Sequence, residues 1–555
     1  MNAETKTCQN CKSPFTIEPD DFTFYEKMVV PPPKICPRCR FMRRMQFRNE
    51  ITLYTCQCMK CKKPVISMYN PKSPYVIYCE PCYISDSWNP ADYAMDYDPT
   101  RPFLDQLKEL FLRVPKMTTF IDHTRPNMES EYVNYAGGHK HCYLLFNSGD
   151  CEESMYSRGI RFCKDTVDAY FAEKTERCYE VVNVKQSTGI RFSQNASGCI
   201  DSSFVLSVSG LQNCIGCVNL RNQSHQWFNE PLPPDEWKRR LEEVRGSYRA
   251  VNELKKKFEE FALRFPRREN SNLKTLKSTG EYIFESKNCR DCFETASSED
   301  CRYAFAVKNA KDSYDILGFG YGSELLLECV GVGLGSQNIK SSYWTEASHH
   351  LEYCFCVTSS ENCFGCNGLK HAEYSILNKK YSKEEYQKLR EKIVAELTAQ
   401  GEYGLFFPPA LAPFAYNETI AQDNFPLSKD EVQKLGFRWE DDIQMTKGKE
   451  TIQPDYIPDH IKDVPETITK EVLKCVSCDR NYKITPQEFS FYKREVLPIP
   501  RECFLCRHRE RIVKRGPLEL FDRSCAKCKK PIRTIYAPNR PEIVYCEQCY
   551  QTEVV

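Results

Sequence analysis

Small and apolar side chains recur every 12 residues through the middle of the chain. Stepping from Cys142 gives Ser154, Thr166, Cys178, Ile190, Ser202, Cys214 and Gln226. Three positions later the same step gives Leu145, Ser157, Ala169, Val181, Ser193, Val205, Cys217 and Asn229. Turn formers such as Asp165, Gly189, Asp201 and Asn213 sit just before many of them. A short strand plus a turn fits such a unit, at about 3.3 Å per strand residue. A fixed period predicts stacked copies with their small side chains in columns. A second series runs through Cys289, Cys301, Ser313 and Leu325. After a two-residue slip near "GVGLG" (331–335) it continues at Ile339, Leu351, Cys363 and Ser375. We therefore expect two β-solenoid-like arrays, residues 129–231 and 276–381, with one, two or three units per coil left open.

The arrays end alike, in "NCIGCVNL" (213–220) and "NCFGCNGL" (362–369). Each is followed by a helical pattern, 235–263 and 383–399, with Trp237 and Tyr386 in matching places. Ser382 and Glu385 form a capping box. The expected organisation is a connector at 91–128 with a helix over 99–113, a helical insert at 232–275, and a helix at 382–400. A proline-rich linker at 401–470 carries a short helix in "LSKDEVQKLGFRW" (427–439), ended near Gly436. Modules at 1–90 and 471–555 flank this body.

Those modules are written in cysteine. The first has Cys8, Cys11, Cys36, Cys39, Cys58, Cys61, Cys79 and Cys82 in four CxxC pairs. The second has Cys475, Cys478, Cys503, Cys506, Cys525, Cys528, Cys546 and Cys549, each 467 positions beyond its counterpart. Shared residues include Phe22/Phe489, Tyr25/Tyr492, Pro64/Pro531 and Tyr78/Tyr545. Two CxxC pairs supply four thiolates, which close a tetrahedral zinc shell and leave no open position for catalysis. The expectation is about four structural Zn²⁺ per chain, paired sequentially or cross-braced. Cys56 has no counterpart, since Arg523 stands there, and reads as a spare thiol.

Composition adjusts this picture in two ways. With 32 cysteines against 9 histidines, metal chemistry is thiolate chemistry, which favours zinc. No run of about 18 apolar residues suggests a membrane span, and no leader pattern opens the chain, so a cytoplasmic protein with reduced thiols is expected. The modules carry formal charges of +5 (1–90) and +6 (466–555) against a middle of −10. Two zinc ions in eight thiolates would bring the ends down to +1 and +2. Arg40, Arg43, Arg44, Arg48, Arg507, Arg509, Arg511 and Arg515 then either balance thiolate charge, face solvent, or form a stripe for phosphates.

No catalytic constellation stands out. Glu152/Glu153 are not singled out as an acid/base pair, and His139, His141, His349, His350 and His371 have no duplicate in the other array. "GFGYG" (318–322) and "GVGLG" lack the strand and helix of a dinucleotide site. Cys214/Cys217 and Cys363/Cys366 have ligand spacing, so a fifth metal between them stays open beside plain core packing.

The stretch "CQNCKSPFTIEPDDFTFYEKMVVPPPKICPRCR" and its C-terminal copy resemble treble-clef zinc-ribbon domains. That resemblance maps Cys8, Cys11, Cys36, Cys39 and Cys475, Cys478, Cys503, Cys506 onto the family's ligands. Taken with the arrays and "YNETIAQDNFPLSK" (416–429), nearly the whole chain resembles a bacterial family of zinc-ribbon proteins with a cysteine-dotted repeat core. Some of that family are labelled CaiB/BaiF CoA-transferases, an activity no residue pattern here supports. The implied fold class is mainly β with small α. Two functional readings follow: a non-catalytic zinc-binding scaffold gripping a protein or RNA, or a β-solenoid enzyme acting on a polymer or glycan.

Overall fold

The computed structural model describes residues 2–122 and 124–554. Strand makes up 31% and helix 25%, so strand leads but helix is a larger share than the repeats suggested. The chain divides into two units. The first joins Met1–Thr119, carrying the N-terminal cysteines, to Asn270–Asp442 and Leu518–Leu520. The second joins Phe120–Glu269 to the C-terminal cysteines in Ile443–Pro517 and Phe521–Val555. Each terminal module thus shares a unit with the array remote from it in sequence.

In the second unit, seven parallel strands from Asn134–Gly137 to Leu206–Ser209 lie side by side in chain order. Their register is fixed at 12: Val167 faces Tyr179, and Val181 faces Ser193. Pairing is not confined to one strand per period. Glu131, Asn134, Gly137 and Lys140 each pair with the residue 12 ahead. The backbone shows why. Every third residue is left-handed, as at His141, Leu144, Asn147, Asp150 and Glu153. That conformation is uncommon outside glycine, though Asn, Asp and His adopt it more readily than most. It turns the chain at each triplet, so four triplets complete one 12-residue period. Inward positions consequently recur every three residues rather than every two. Cys142, Leu145, Cys151, Ile160, Cys163, Ala169, Ala172 and Cys178 are all buried in one continuous core.

The same rule governs the first unit, from Gly280–Phe284 to Glu373–Ile376. Cys301 pairs with Ser313 and Leu351 with Cys363. Between them the register differs: Leu326 pairs with Ile339, 13 residues on, and the Leu326 N–H reaches back 13 residues to Ser313 Oγ. The expected two-residue slip is therefore two one-residue insertions in successive periods. The inward residue is Leu326, 1% exposed, while Leu325 occupies a left-handed corner.

Serine, threonine and cysteine at inward positions have a backbone task. Ser348 Oγ donates to Glu346 O at 2.8 Å and accepts from Ser360 N–H at 3.1 Å. Ser187 and Ser202 likewise accept from Cys199 and Cys214 N–H, each at 3.1 Å. A backbone N–H aimed into a dry core costs about 1–3 kcal/mol if unpaired, so small hydroxyls recur among the aliphatics. Inward thiols donate to the carbonyl two residues back, as Cys178 to Glu176 and Cys354 to Glu352, both at 3.4 Å. Each array closes on an asparagine: Asn229 Oδ1 accepts Val218 N–H at 2.9 Å, and Asn378 Oδ1 accepts Asn367 N–H at 2.7 Å.

Helix expectations hold with one change. Lys383–Gln400 starts at the Ser382/Glu385 capping box and stops at left-handed Gly401. Phe103–Arg113 and Lys429–Lys434 lie where expected. The pattern at 235–263 is two helices, Pro234–Val244 and Tyr248–Ala262, because Gly246 is left-handed and Ser247 caps a new start. The proline-rich stretch is no free tether. Phe406, Phe407, Phe414 and Tyr416 are buried in the first unit, and Ile457, Ile461 and Ile468 pack with Phe489 and Tyr492 in the second.

Candidate metal centres

Four groups of four cysteines are gathered so that their sulfurs lie within 4.8 Å of one another: Cys8/Cys11/Cys36/Cys39, Cys58/Cys61/Cys79/Cys82, Cys475/Cys478/Cys503/Cys506 and Cys525/Cys528/Cys546/Cys549. Pairing is sequential, not cross-braced. Each group combines two kinds of CxxC. The first pair forms a knuckle whose following residue is left-handed: Lys12, Lys62, Asp479 and Lys529. The second pair opens a helix. Cys36, Cys79 and Cys503 are the N-caps of Pro37–Met45, Glu80–Ile84 and Phe504–Arg515, and Cys546 directly precedes Glu547–Val554. A backbone bond ties the two halves in every case. The N–H groups of Cys36, Cys79 and Cys503 donate to Cys8, Cys58 and Cys475 Sγ at 3.2 Å, and Cys546 N–H donates to Cys525 Sγ at 3.3 Å.

The sulfur spacing suits a shared ion. Cys11–Cys36, Cys61–Cys79, Cys478–Cys503 and Cys528–Cys546 are all 3.7 Å apart. Tetrahedral thiolates at about 2.3 Å from a metal lie about 3.8 Å from each other, whereas a disulfide needs about 2.05 Å. Each tetrad can hold one metal ion.

Seven of the eight arginines are buried, so they form no exposed stripe. In the first unit, Arg40 and Arg44 point from the helix Pro37–Met45 into the sheet. Both pair with Asp315 at 2.9 Å, and both reach Glu328. Arg43 pairs with Glu402 and Arg48 with Glu50, at 2.7 and 2.6 Å. In the second unit, Arg507 and Arg511 each pair with Asp168 at 2.8 Å, and Arg515 lies over the Tyr170 ring. Arg509 alone of the eight is exposed. Burial lifts Glu328 to about 7 against the pull of Arg44. It likewise raises Glu488, which Arg507 opposes and the Tyr492 and Tyr156 hydroxyls hydrogen-bond. Sequence reading missed these carboxylates because Asp315 and Asp168 lie hundreds of residues from their partners.

The remaining candidates scatter. Cys56 is half-buried on the strand Tyr54–Gln57, outside its module's tetrads. Cys214, Cys217, Cys363 and Cys366 are fully buried, their thiols bonded to backbone carbonyls of their own array, and they belong to no metal group among the described residues. His139 is buried against Ser148 Oγ at 2.9 Å and accepts Cys151 N–H, and burial lowers it to about 4. His141 lies 3.1 Å from Glu129, His350 meets Asn338, and His349 is exposed. Glu152 is taken by Lys140 and Lys164, and Glu153 by Gln487. Among the described residues, no helix is long and apolar enough to cross a membrane. No protein-family model and no curated protein matches the chain, so the CaiB/BaiF label draws no support from either comparison.

Proposed function

We propose that the four tetrads hold structural Zn²⁺ through Cys8, Cys11, Cys36, Cys39, Cys58, Cys61, Cys79, Cys82 and their C-terminal counterparts, and that the protein is a non-catalytic scaffold. In this reading the arrays are four-sided β-solenoids with one 12-residue coil per turn. Each carries a zinc module locked against its flank. The supporting observation is the fate of the module helices: Arg40 and Arg44 are spent on Asp315 and Glu328, and Arg507 and Arg511 on Asp168, all buried carboxylates of the arrays, so the modules act as clamps on the solenoid. Thiolate tetrads with no fourth-position water give zinc no catalytic vacancy. Thiols in such number point to a reducing compartment, hence the cytoplasm.

Of the two macromolecular partners, a protein fits better than RNA, because the stripe that would have met phosphates lies inside. Affinity of the full-length protein for a single-stranded RNA, measured between about 50 and 200 mM salt, tests this. The scaffold reading expects no salt-sensitive binding. A steep loss of affinity with salt would restore the RNA reading. The glycan-enzyme reading would need converging carboxylates, and Glu152 and Glu153 are tied to lysines and to an amide instead.

A further inference from the structure

The four tetrads fall into two environments. In the inner pair (Cys8/Cys11/Cys36/Cys39 and Cys475/Cys478/Cys503/Cys506) no sulfur-bearing residue is exposed. Their helices are rooted in the arrays: Cys39 to Met45 are all buried, as are Arg507, His508, Arg511 and Ile512. In the outer pair, Cys61 and Cys528 are exposed, and Cys82 and Cys549 are half-buried. The outer supports are thin. Glu80–Ile84 has no buried residue, and Glu547–Val554 buries Tyr550 alone. The knuckle tips Lys62, Lys63, Lys529 and Lys530 are exposed, adding positive charge beside each open sulfur.

We propose that Cys61 and Cys528 are oxidation sites through which hydroperoxides release metal from the outer tetrads alone. The inference rests on the zinc reading above. Access decides which thiolates react. The Cys61 thiolate attacks the peroxide oxygen, giving a sulfenic acid and hydroxide. Cys79, with its sulfur 3.7 Å away, then displaces that hydroxyl to form a disulfide. Cys528 and Cys546 stand at the same 3.7 Å. Overall, two thiolates, one hydrogen peroxide and two protons give one disulfide and two waters. The ion, left with two thiolates, dissociates. The inner tetrads keep theirs, so the clamps on the arrays survive while the module tips loosen.

The test uses the full-length zinc-loaded protein. Total zinc is measured first, then release into a chromogenic chelator on adding hydrogen peroxide, with the new disulfides mapped by mass spectrometry. Two of four ions should leave at least tenfold faster than the others, with Cys61–Cys79 and Cys528–Cys546 as the first disulfides. In the double variant Cys61→His, Cys528→His, which offers four ligands per site, the fast phase should disappear when release is scored per ion bound at the start. Four ions leaving at one rate, or first disulfides in the inner tetrads, would overturn the proposal while leaving the zinc reading intact. An unchanged fast phase in the double variant would do the same. A starting count of two would overturn both.

Discussion

The two units use one docking plan with different charge arithmetic. Arg40 and Arg507 are equivalent positions of the modules, and Asp315 and Asp168 are equivalent positions of the arrays. In both units the arginine bridges to the aspartate. In the first, Arg40 and Arg44 share two carboxylates, Asp315 and Glu328. In the second, the position equivalent to Glu328 is Glu180, which faces Lys255 instead. Asp168 then carries both Arg507 and Arg511, with Glu488 3.5 Å from Arg507 only. The difference teaches that one docking geometry can be served by two different sets of counter-charges. In the second unit one aspartate meets both arginines, and Glu488 beside Arg507 supplies the further carboxylate.

Metal removal should produce the largest effect and act on both units. Structural zinc contributes on the order of 10 kcal/mol to small domains that need it. A strong chelator should therefore abolish the near-ultraviolet signal of the modules, whose aromatic residues Phe24 and Tyr492 pack against Tyr314 and Tyr179. A signal indifferent to chelation would remove metal from the account of both units.

Breaking the ion pairs should separate the units. Leaving a buried charge without its partner costs about 3–5 kcal/mol. Asp168→Asn should sit at the top of that range in urea unfolding, since two arginines lose their shared carboxylate. Asp315→Asn should cost visibly less, because Glu328 remains for both arginines. Equal losses would show that the carboxylate count does not distinguish the units.

A smaller effect should be common to both arrays. Ser348→Ala in the first unit and Ser187→Ala in the second each strand one inward N–H, at about 1–3 kcal/mol. A neutral result at either would remove the backbone role assigned to the inward hydroxyls. A pH-dependent effect of comparable size belongs to the second unit alone. His139 is held neutral, with its folded pKa near 4, below the ordinary 6.5. Its stabilising contribution is present above pH 6.5 and is lost as pH falls towards 4, by roughly 2–3 kcal/mol at the acid end. His139→Gln should lie below wild type in stability at neutral pH, with the gap narrowing between pH 6.5 and 4. A gap independent of pH would contradict the assignment.

What could be read from the chain follows from how local each signal is. The CxxC pairs and the Ser382/Glu385 cap are local, and the structure gathers the former and contains the latter. The 12-residue spacing was visible in two of four inward columns. The underlying triplet was hidden because inward positions mix aliphatics with Ser187, Ser202 and Cys178, whose polar atoms serve the backbone. Hydropathy cannot distinguish such residues from surface ones. The internal arginines were not legible at all. On a helix beside thiolates, Arg44 reads as a surface cation, and only the arrival of Asp315 and Glu328 from far along the chain makes it a core residue. The same long-range pairing placed each module with the distant array, which no sequence spacing encodes.

Four closed thiolate tetrads stand at the two ends of the chain, each able to hold one ion. Elemental analysis of the purified full-length protein tests this most directly, alongside the single variants Cys39→Ser and Cys506→Ser. The account predicts four zinc ions per chain, and three in each variant. Fewer than three in the wild type, or no loss in the variants, would contradict it.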